Sequence, residues 1–501
     1  MNHLLILPIL LPLFAGAALL MLPSLERIKR TLSILACLAL IPVALLLMRQ
    51  AAEGDLQVYA LGGWQAPFGI VLMLDRLSAL MLLVTAVLGT AVAIYAARGD
   101  DRRGMRFHAL LQFQLLGLNG AFTTGDLFNL FVFFEVMLIA SYALLFHGGG
   151  AERTRAGLHY VVLNLVGSAF FLIALGVFYG ITGTLNMADL SVKVAAVAPA
   201  DAPLLAAAGL LLLVVFALKA ALLPLHFWLP RAYAVASAPV AALFAIMTKV
   251  GVYSIVRVYL LVFGAGAGEL AHLGNDWLWP LALLTMAVAA LGALAAASLQ
   301  ALVAYLVLLS AGTLLAAVAL GTPASLGAAL YYLVHSTWAA AGLFLLADLI
   351  SRERGERRGA LVQGPLLEHP ALLGGAFFFA AISVAGLPPL SGFIGKLLLL
   401  KAATPGLPTA LLWGVLLGGS LLCLVALSRA GSTLFWRTTG ADAPGGEGLD
   451  GVRLAVTLAL LGLAVLLVVL AGPLMGYLEA TATQLHDVDL YRQAVLPGAG
   501  A

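Results

Sequence analysis

Apolar runs of about twenty residues follow one another from Leu4 to the neighbourhood of Gly472, with only short polar stretches between them. Each run is long enough to cross a hydrocarbon layer of roughly 30 Å as an α-helix. The chain is 63% hydrophobic and 10% charged, against roughly 25% charged in soluble domains. No water-soluble fold can cover so much apolar surface, so lipid is the solvent. Backbone groups inside lipid must be satisfied within their own segment, which favours helices. The expected fold is an all-α integral membrane protein with about fourteen transmembrane helices.

Charge placement sets the expected topology. Alternate connections hold Arg27, Lys29 and Arg30; Arg98, Arg102, Arg103 and Arg106; Arg153 and Arg155; Arg231; Arg352, Arg354, Arg357 and Arg358; and Arg429, Arg437 and Arg453. The other connections hold few basic residues: Arg49, Arg76, Lys193, Lys401 and Arg492. The positive-inside rule puts the arginine-rich side in the cytoplasm and both termini outside it, in a cell inner (plasma) membrane. The first run lacks a basic stretch before it and reads as a retained span, not a signal peptide.

The spans form two groups of five after an N-terminal three-helix segment (1–107). Residues 108–263 make the first group and 278–436 the second, followed by a last transmembrane helix and C-terminal tail (452–501). Five is odd, so the second group starts on the opposite face: an inverted repeat. The fourth span of each group carries a lysine and interrupting prolines, FALKAALLPLHFWLP over 216–230 and GLPPLSGFIGK over 386–396. Proline removes a backbone donor. Pro224, Pro388 and Pro389 therefore mark helix breaks, and matched broken helices are the best sequence pointer to an ion path.

Four ionisable residues lie deep in these spans: Glu135, Lys219, Lys249 and Lys396. A charge at mid-membrane costs roughly 2.5–3.5 kcal/mol on insertion scales, so such groups face a bundle interior and find partners there. A Glu135–Lys219 pair is expected to act as a switch, with the lysine keeping its proton while the carboxylate is near and releasing it when the carboxylate is withdrawn or neutralised. His335, in LYYLVHSTW over 330–338, suits a link between the halves because imidazole exchanges protons near neutral pH. The competing readings are a buried structural ion pair for the set and a hydroxyl-bonded core histidine for His335. His226 is a candidate of either kind. Tyr305, Ser310 and Thr313 are candidates for holding water, though such hydroxyls often bond back to their own helix. Arg257 is expected to snorkel outward as a structural residue, and Asp126 to cap the fifth helix. His108, His147 and His159 sit at span ends and receive no role.

No GxGxxG or P-loop is present. Cys37 and Cys423, the two cysteines, are too few for an iron–sulfur cluster and lie in apolar runs as core residues. No cofactor, no metal site and no nucleic-acid partner is expected.

At these residues the chain resembles the antiporter-like family shared by complex I membrane subunits and Mrp-type (Pha-type) sodium/proton antiporters. The motifs are GDLFNLFVFFEVML over 125–138, LKAALLPLHFWLP over 218–230, TKVGVY over 248–253 and the 386–396 segment. The resemblance covers essentially the whole chain and is greatest to the D-type member of the multisubunit antiporter. It implies that Glu135 and Lys219 match the family's buried ion pair, Lys249 its central lysine, and Lys396 its terminal lysine in the second half. Two positions depart: Ala339, where many relatives have lysine, and Gln300, where a basic residue or histidine is common. The connection from Lys249 to Lys396 is correspondingly sparse.

The reading is a secondary transporter subunit, not an enzyme. It would relay protons through Glu135, Lys219, Lys249, His335 and Lys396 in a hetero-oligomeric sodium/proton antiporter, with other membrane subunits, H+, Na+ and the lipid bilayer as partners. The competing readings are a proton-pumping subunit of a complex I-like oxidoreductase or membrane-bound hydrogenase, and a scaffold whose buried charges only hold partners.

Overall fold

The computed structural model describes residues 3–23, 25–403, 406–440 and 448–496. The N-terminal segment contributes α1 (Leu7–Met21), α2 (Glu26–Ala52), a short antiparallel hairpin of β1 (Gln57–Ala60) and β2 (Val71–Leu74), and α3 (Arg76–Ala96). Then come α4 (Phe107–Thr123), α5 (Leu127–Phe146), α6 (Ala151–Thr182), a surface helix α7 (Met187–Ala195), α8 (Ala202–Ala220), α9 (Trp228–Val235), α10 (Ala238–Phe244) and α11 (Met247–Leu261). The second group is α12 (Asn275–Ala295), α13 (Leu299–Ala319), α14 (Pro323–Glu353), α15 (Pro370–Ala385), α16 (Ser391–Ala402) and α17 (Leu407–Gly431). The chain closes with α18 (Gly451–Val469), α19 (Ala471–His486) and α20 (Val488–Val495).

Among the described residues, 12 helical segments are long and apolar enough to cross a membrane. The short α4 and the broken α15–α16 complete the fourteen-span pattern. Helices break where prolines interrupt the seventh and twelfth spans: α8 stops at Ala220 and resumes at Trp228, and α15 stops at Ala385 and resumes at Ser391. The eighth span is interrupted too, without a proline. At Ala245 and Ile246 the amides bond to carbonyls three residues back, a tighter turn of the kind found at mid-helix hinges.

Burial sorts the helices by role. The eighth span (α10–α11) and α14 are buried along nearly their whole length, whereas α2, α17 and α18 are buried over no more than about a third of theirs. The core is therefore a seam where α14 packs on α10, α13, α16, α18 and α19.

Internal polar bonds replace what prolines remove. Pro12 has no N–H for the carbonyl of Pro8, and the Asn119 amide donates to that carbonyl instead, at 2.7 Å. In the break after α8, Thr285 Oγ1 on α12 accepts from Leu223 N at 2.9 Å and Trp228 Nε1 donates to Leu218 O at 3.2 Å. Asp126 caps α5 as expected, accepting from Asn129 N at 2.9 Å. Cys37 and Cys423 are free and buried.

Two elements lie outside the expected span pattern, and one expectation is corrected. The C-terminal tail is helical through α19 and α20, which pack against α14, α11, α3 and α7. The polar stretch before α3 forms the β-hairpin. Arg257 does not snorkel: it is 3% exposed and its Nη1 lies 2.5 Å from Asp75 Oδ2, the carboxylate that caps α3. A buried counter-charge holds the guanidinium more cheaply than stretching toward the interface would.

Candidate functional site

Lys219, Lys249, His335 and Lys396 are all buried in the bundle. Glu135 is half-buried. The structure hands each of the four basic groups to neutral partners, and the expected Glu135–Lys219 contact is not made. No ion pair within 4.0 Å joins them among the described residues; each meets a polar side chain of α6 instead, while α5 and α8 touch through the Phe134 and Phe216 rings. Lys219 Nζ donates to Asn164 Oδ1 at 2.8 Å. One turn along α6, the Ser168 hydroxyl donates to Glu135 Oε1. Asn164 and Ser168 are four residues apart, so they share a helix face. The Ser168 hydroxyl also meets the Asn164 backbone carbonyl at 3.0 Å and Asn164 Nδ2 donates to Tyr160 O at 2.8 Å, so the carboxylate and the ammonium each rest on their own polar side chain of one α6 face.

Lys249 lies at the third position of α11, just past the 245–246 interruption. Its Nζ donates to Ser310 Oγ at 2.8 Å, and Ser310 in turn donates to Val307 O at 2.7 Å. The carbonyl of Phe244, freed by the interruption, accepts from Tyr233 OH at 2.7 Å. Gly251 lets α8 and α11 touch: a Cβ there would sit 2.8 Å from Phe216 O. This close approach places the Lys219 and Lys249 helices in direct backbone contact.

In the second half, His335 Nδ1 lies 2.8 Å from Ser391 Oγ, the first residue of α16. Its Nε2 faces Gly392, where a Cβ would approach to 2.9 Å. Lys396 Nζ fills its three donor positions with Ala385 O at 2.8 Å, Ser420 Oγ at 2.9 Å and Val384 O at 3.2 Å. Those carbonyls are the unpaired C-terminal end of α15, where the helix dipole favours a cation. Gly386, with φ +84°, turns the chain there.

The secondary candidates divide. Ser310 joins Lys249. Thr313 bonds back to Leu309 O at 2.9 Å. Tyr305 is half-buried against Gly292 and is not joined to any of the lysines. His226 sits in the break between α8 and α9, half-buried, its Nδ1 without a partner among the described residues. Gln300 bonds Ser351 Oγ at 2.9 Å and Ala339 is buried. Sequence reasoning missed Asn164, Ser168, Ser391 and Ser420. The first two left a signal, a polar pair at i, i+4 inside an apolar run.

A second charged cluster lies on the arginine-rich face. Buried Asp100 meets Arg453 Nη2 at 3.0 Å, Arg352 Nη2 at 3.2 Å and Arg103 Nε at 3.4 Å. Burial, then Asp348, pushes the Asp100 carboxyl up, and these arginines pull it back. Asp101 is also buried, which alone would push it up. Hydrogen bonds from His108 at 3.2 Å and Arg30 at 2.5 Å outweigh burial and hold it at about 2. His147, whose Nε2 lies 2.9 Å from Asp100 O, is held below the ordinary histidine value by burial.

The profile of the family described as NADH:quinone oxidoreductase/Mrp antiporter, TM, matches residues 124–423. The D component of a probable K(+)/H(+) antiporter of Rhizobium meliloti is 42% identical over 100% of this chain and 99% of that protein. The D component of the Na(+)/H(+) antiporter of Bacillus subtilis is 40% identical over 87% of each. A chain of the Mrp complex from Dietzia superposes with a TM-score of 0.86 at 29% identity, covering 99% of this chain and 100% of that one. By matched length, identity and fold together, the chain belongs to the NADH:quinone oxidoreductase/Mrp antiporter transmembrane family.

Proposed function

We propose that this chain is the proton-translocating D-type component of a multisubunit monovalent cation/proton antiporter in the plasma membrane. It works with other membrane subunits as a secondary transporter and carries out no chemical conversion of its own. The arginine-rich face is cytoplasmic and both termini are outside. Residues 108–263 and 278–436 act as two half-channels, flanked by 1–107 and 452–501. The observation that carries this reading is the series of buried basic groups, each on a neutral exchangeable partner: Lys219 on Asn164, Lys249 on Ser310, His335 on Ser391 and Lys396 on Ser420. A neutral dipole holds an ammonium less strongly than a carboxylate in contact would, so a proton can move on. Glu135 acts on Lys219 across the α6 face that carries Ser168 and Asn164. The direction runs from Glu135 and Lys219 past Lys249 and His335 to Lys396.

The test is cation-dependent collapse of a pH gradient in everted vesicles carrying the whole complex, with native Lys219 or Lys219→Ala. The relay requires native activity and at least a tenfold loss in the variant at equal assembly. A variant as active as native sinks it. Sodium is the expected cation, supported by the Bacillus relative; potassium is the second reading, supported by the Rhizobium one. Running the assay with each salt separates them. No response to either, in a native complex that assembles, points to a redox-driven pump, the other activity in the family's description.

A further inference from the structure

Opposite the arginine-rich face, a cavity of about 380 Å³ opens between Leu213 in the middle of α8, the end of α11, the start of α12 and the α19–α20 junction. Its polar lining includes Tyr259, His272, Asn275, His486, Asp487 and Arg492. A smaller cavity of about 10 Å³ shares Leu260, Leu261 and Asp487 with it and reaches Asp75, Arg257 and Tyr491. That volume is about one water molecule.

Two polar atoms along this path have no protein partner among the described residues. His486 Nε2 is buried and unpaired, its Nδ1 being held by Ala482 O at 2.7 Å. The Tyr491 hydroxyl is also unpaired, on a residue 5% exposed. Its ring lies under Arg257, with the guanidinium 5.8 Å from the ring centre. An orphaned buried hydroxyl is costly unless water satisfies it.

The smaller cavity ends on the Asp75–Arg257 pair. Asp75 Oδ1 accepts from Ser78 N at 2.7 Å, and Arg257 Nε donates to Tyr253 OH at 3.3 Å. Lys249, Tyr253 and Arg257 recur every four residues along α11, about 6 Å apart in rise, and so lie along one side of that helix.

We propose that this cavity is a water-filled outer port, closed toward α3 by the Asp75–Arg257 pair, through which that pair exchanges protons with the outside. The inference rests on the relay reading and adds a route at the middle of the chain, where the relay expects its outlet near Lys396. A proton that reaches the Asp75 carboxylate forms the neutral carboxyl, which releases it to water in the port. Protonated Asp75 no longer carries the charge that holds Arg257, so the gate loosens when loaded and tightens when emptied. Tyr491 holds the water at the gate, a positioning role.

The experiment uses the full complex. Leu261→Cys, on the wall shared by the two cavities, is treated in intact cells with a membrane-impermeant methanethiosulfonate. Vesicles are then everted and antiport is measured with and without prior labelling. The port requires labelling from outside and at least a fivefold fall in antiport on labelling. Labelling only from the cytoplasmic face, or full labelling with unchanged antiport, overturns it. Tyr491→Phe gives a second readout that does not depend on the cysteine. A gate water requires at least a threefold loss of antiport with equal assembly, whereas a dry structural hydroxyl predicts unchanged antiport and an equal or higher melting temperature. If Lys219→Ala abolishes antiport while the labelled vesicles transport normally, the port fails and the relay stands. If Lys219→Ala transports like native, the relay fails, and labelling together with Tyr491→Phe still decides the port.

Discussion

Asn164 is the residue on which the first half of the site turns, because it gives Lys219 its hydrogen-bonding partner and shares a helix face with Ser168 and through it Glu135. Asn164→Leu leaves a buried ammonium without that acceptor, and an unsatisfied buried charge is far dearer than a satisfied one. The expected outcome is at least a tenfold loss of antiport at unchanged Lys219 content. Ser168→Ala removes the hydroxyl's contacts with Glu135 and with Asn164 O but leaves the Lys219 acceptor in place, and should give a smaller loss; equal losses would contradict the separate roles of the two residues. Asp101 allows a pH prediction outside the membrane. Its folded carboxyl sits at about 2, below the roughly 3.9 of an unfolded aspartate. A depressed value means that the stabilisation is present above the unfolded value and is lost as pH falls from about 4 toward 2. Melting temperatures of the detergent-solubilised chain should fall over that window, and Asp101→Asn should flatten this acid slope while lowering the neutral value. A variant with the native acid slope would remove Asp101 from the account.

Among elements, the contact between α8 and α11 is set by Gly251. A methyl group there meets backbone of the facing helix, which cannot turn aside as a side chain could. Overpacking of this kind costs about 1–3 kcal/mol. Gly251→Ala should lower the melting temperature and reduce antiport several-fold by separating the Lys219 and Lys249 helices; native activity with native stability would show that their spacing is not critical. The same logic explains why the breaks are tolerated. Thr285 and Trp228 satisfy backbone groups in the first break, and Lys396 satisfies α15 carbonyls in the second. The Lys396 ammonium is therefore both a relay candidate and the cap of a half-helix, two roles that the sequence alone does not separate.

For the whole molecule, the Asp100 cluster ties the connection between α3 and α4 to α14 through Arg352 and to α18 through Arg453. Breaking a buried pair from one side leaves an uncompensated charge, at roughly 3–5 kcal/mol; without the Asp100 charge, Arg352 keeps Asp348 at 2.7 Å and Arg453 keeps the Arg98 carbonyl at 2.9 Å, so less charge is stranded. The double variant Arg352→Gln with Arg453→Gln should therefore lower the melting temperature more than Asp100→Asn does. The opposite ranking would mean that Asp100 is not the hub of this cluster.

The sequence by itself determined the solvent, the span pattern and the matched broken helices, because run length, composition and proline position act locally or through simple partition into lipid. It also placed the ionisable residues at depth, since position along a span fixes depth. It did not determine whom they touch. Only the tertiary structure gave Glu135 and Lys219 their partners on α6, gave Ser391 to His335 and Ser420 to Lys396, and turned Arg257 inward to Asp75. Those outcomes depend on rotation and packing of helices distant in the chain, and each required a partner that no local pattern specifies. The interruption at 245–246, the helical C-terminus and the hairpin before α3 belong to the same class. Their own hydrogen bonds shape them, and neighbours distant in the chain pack against them.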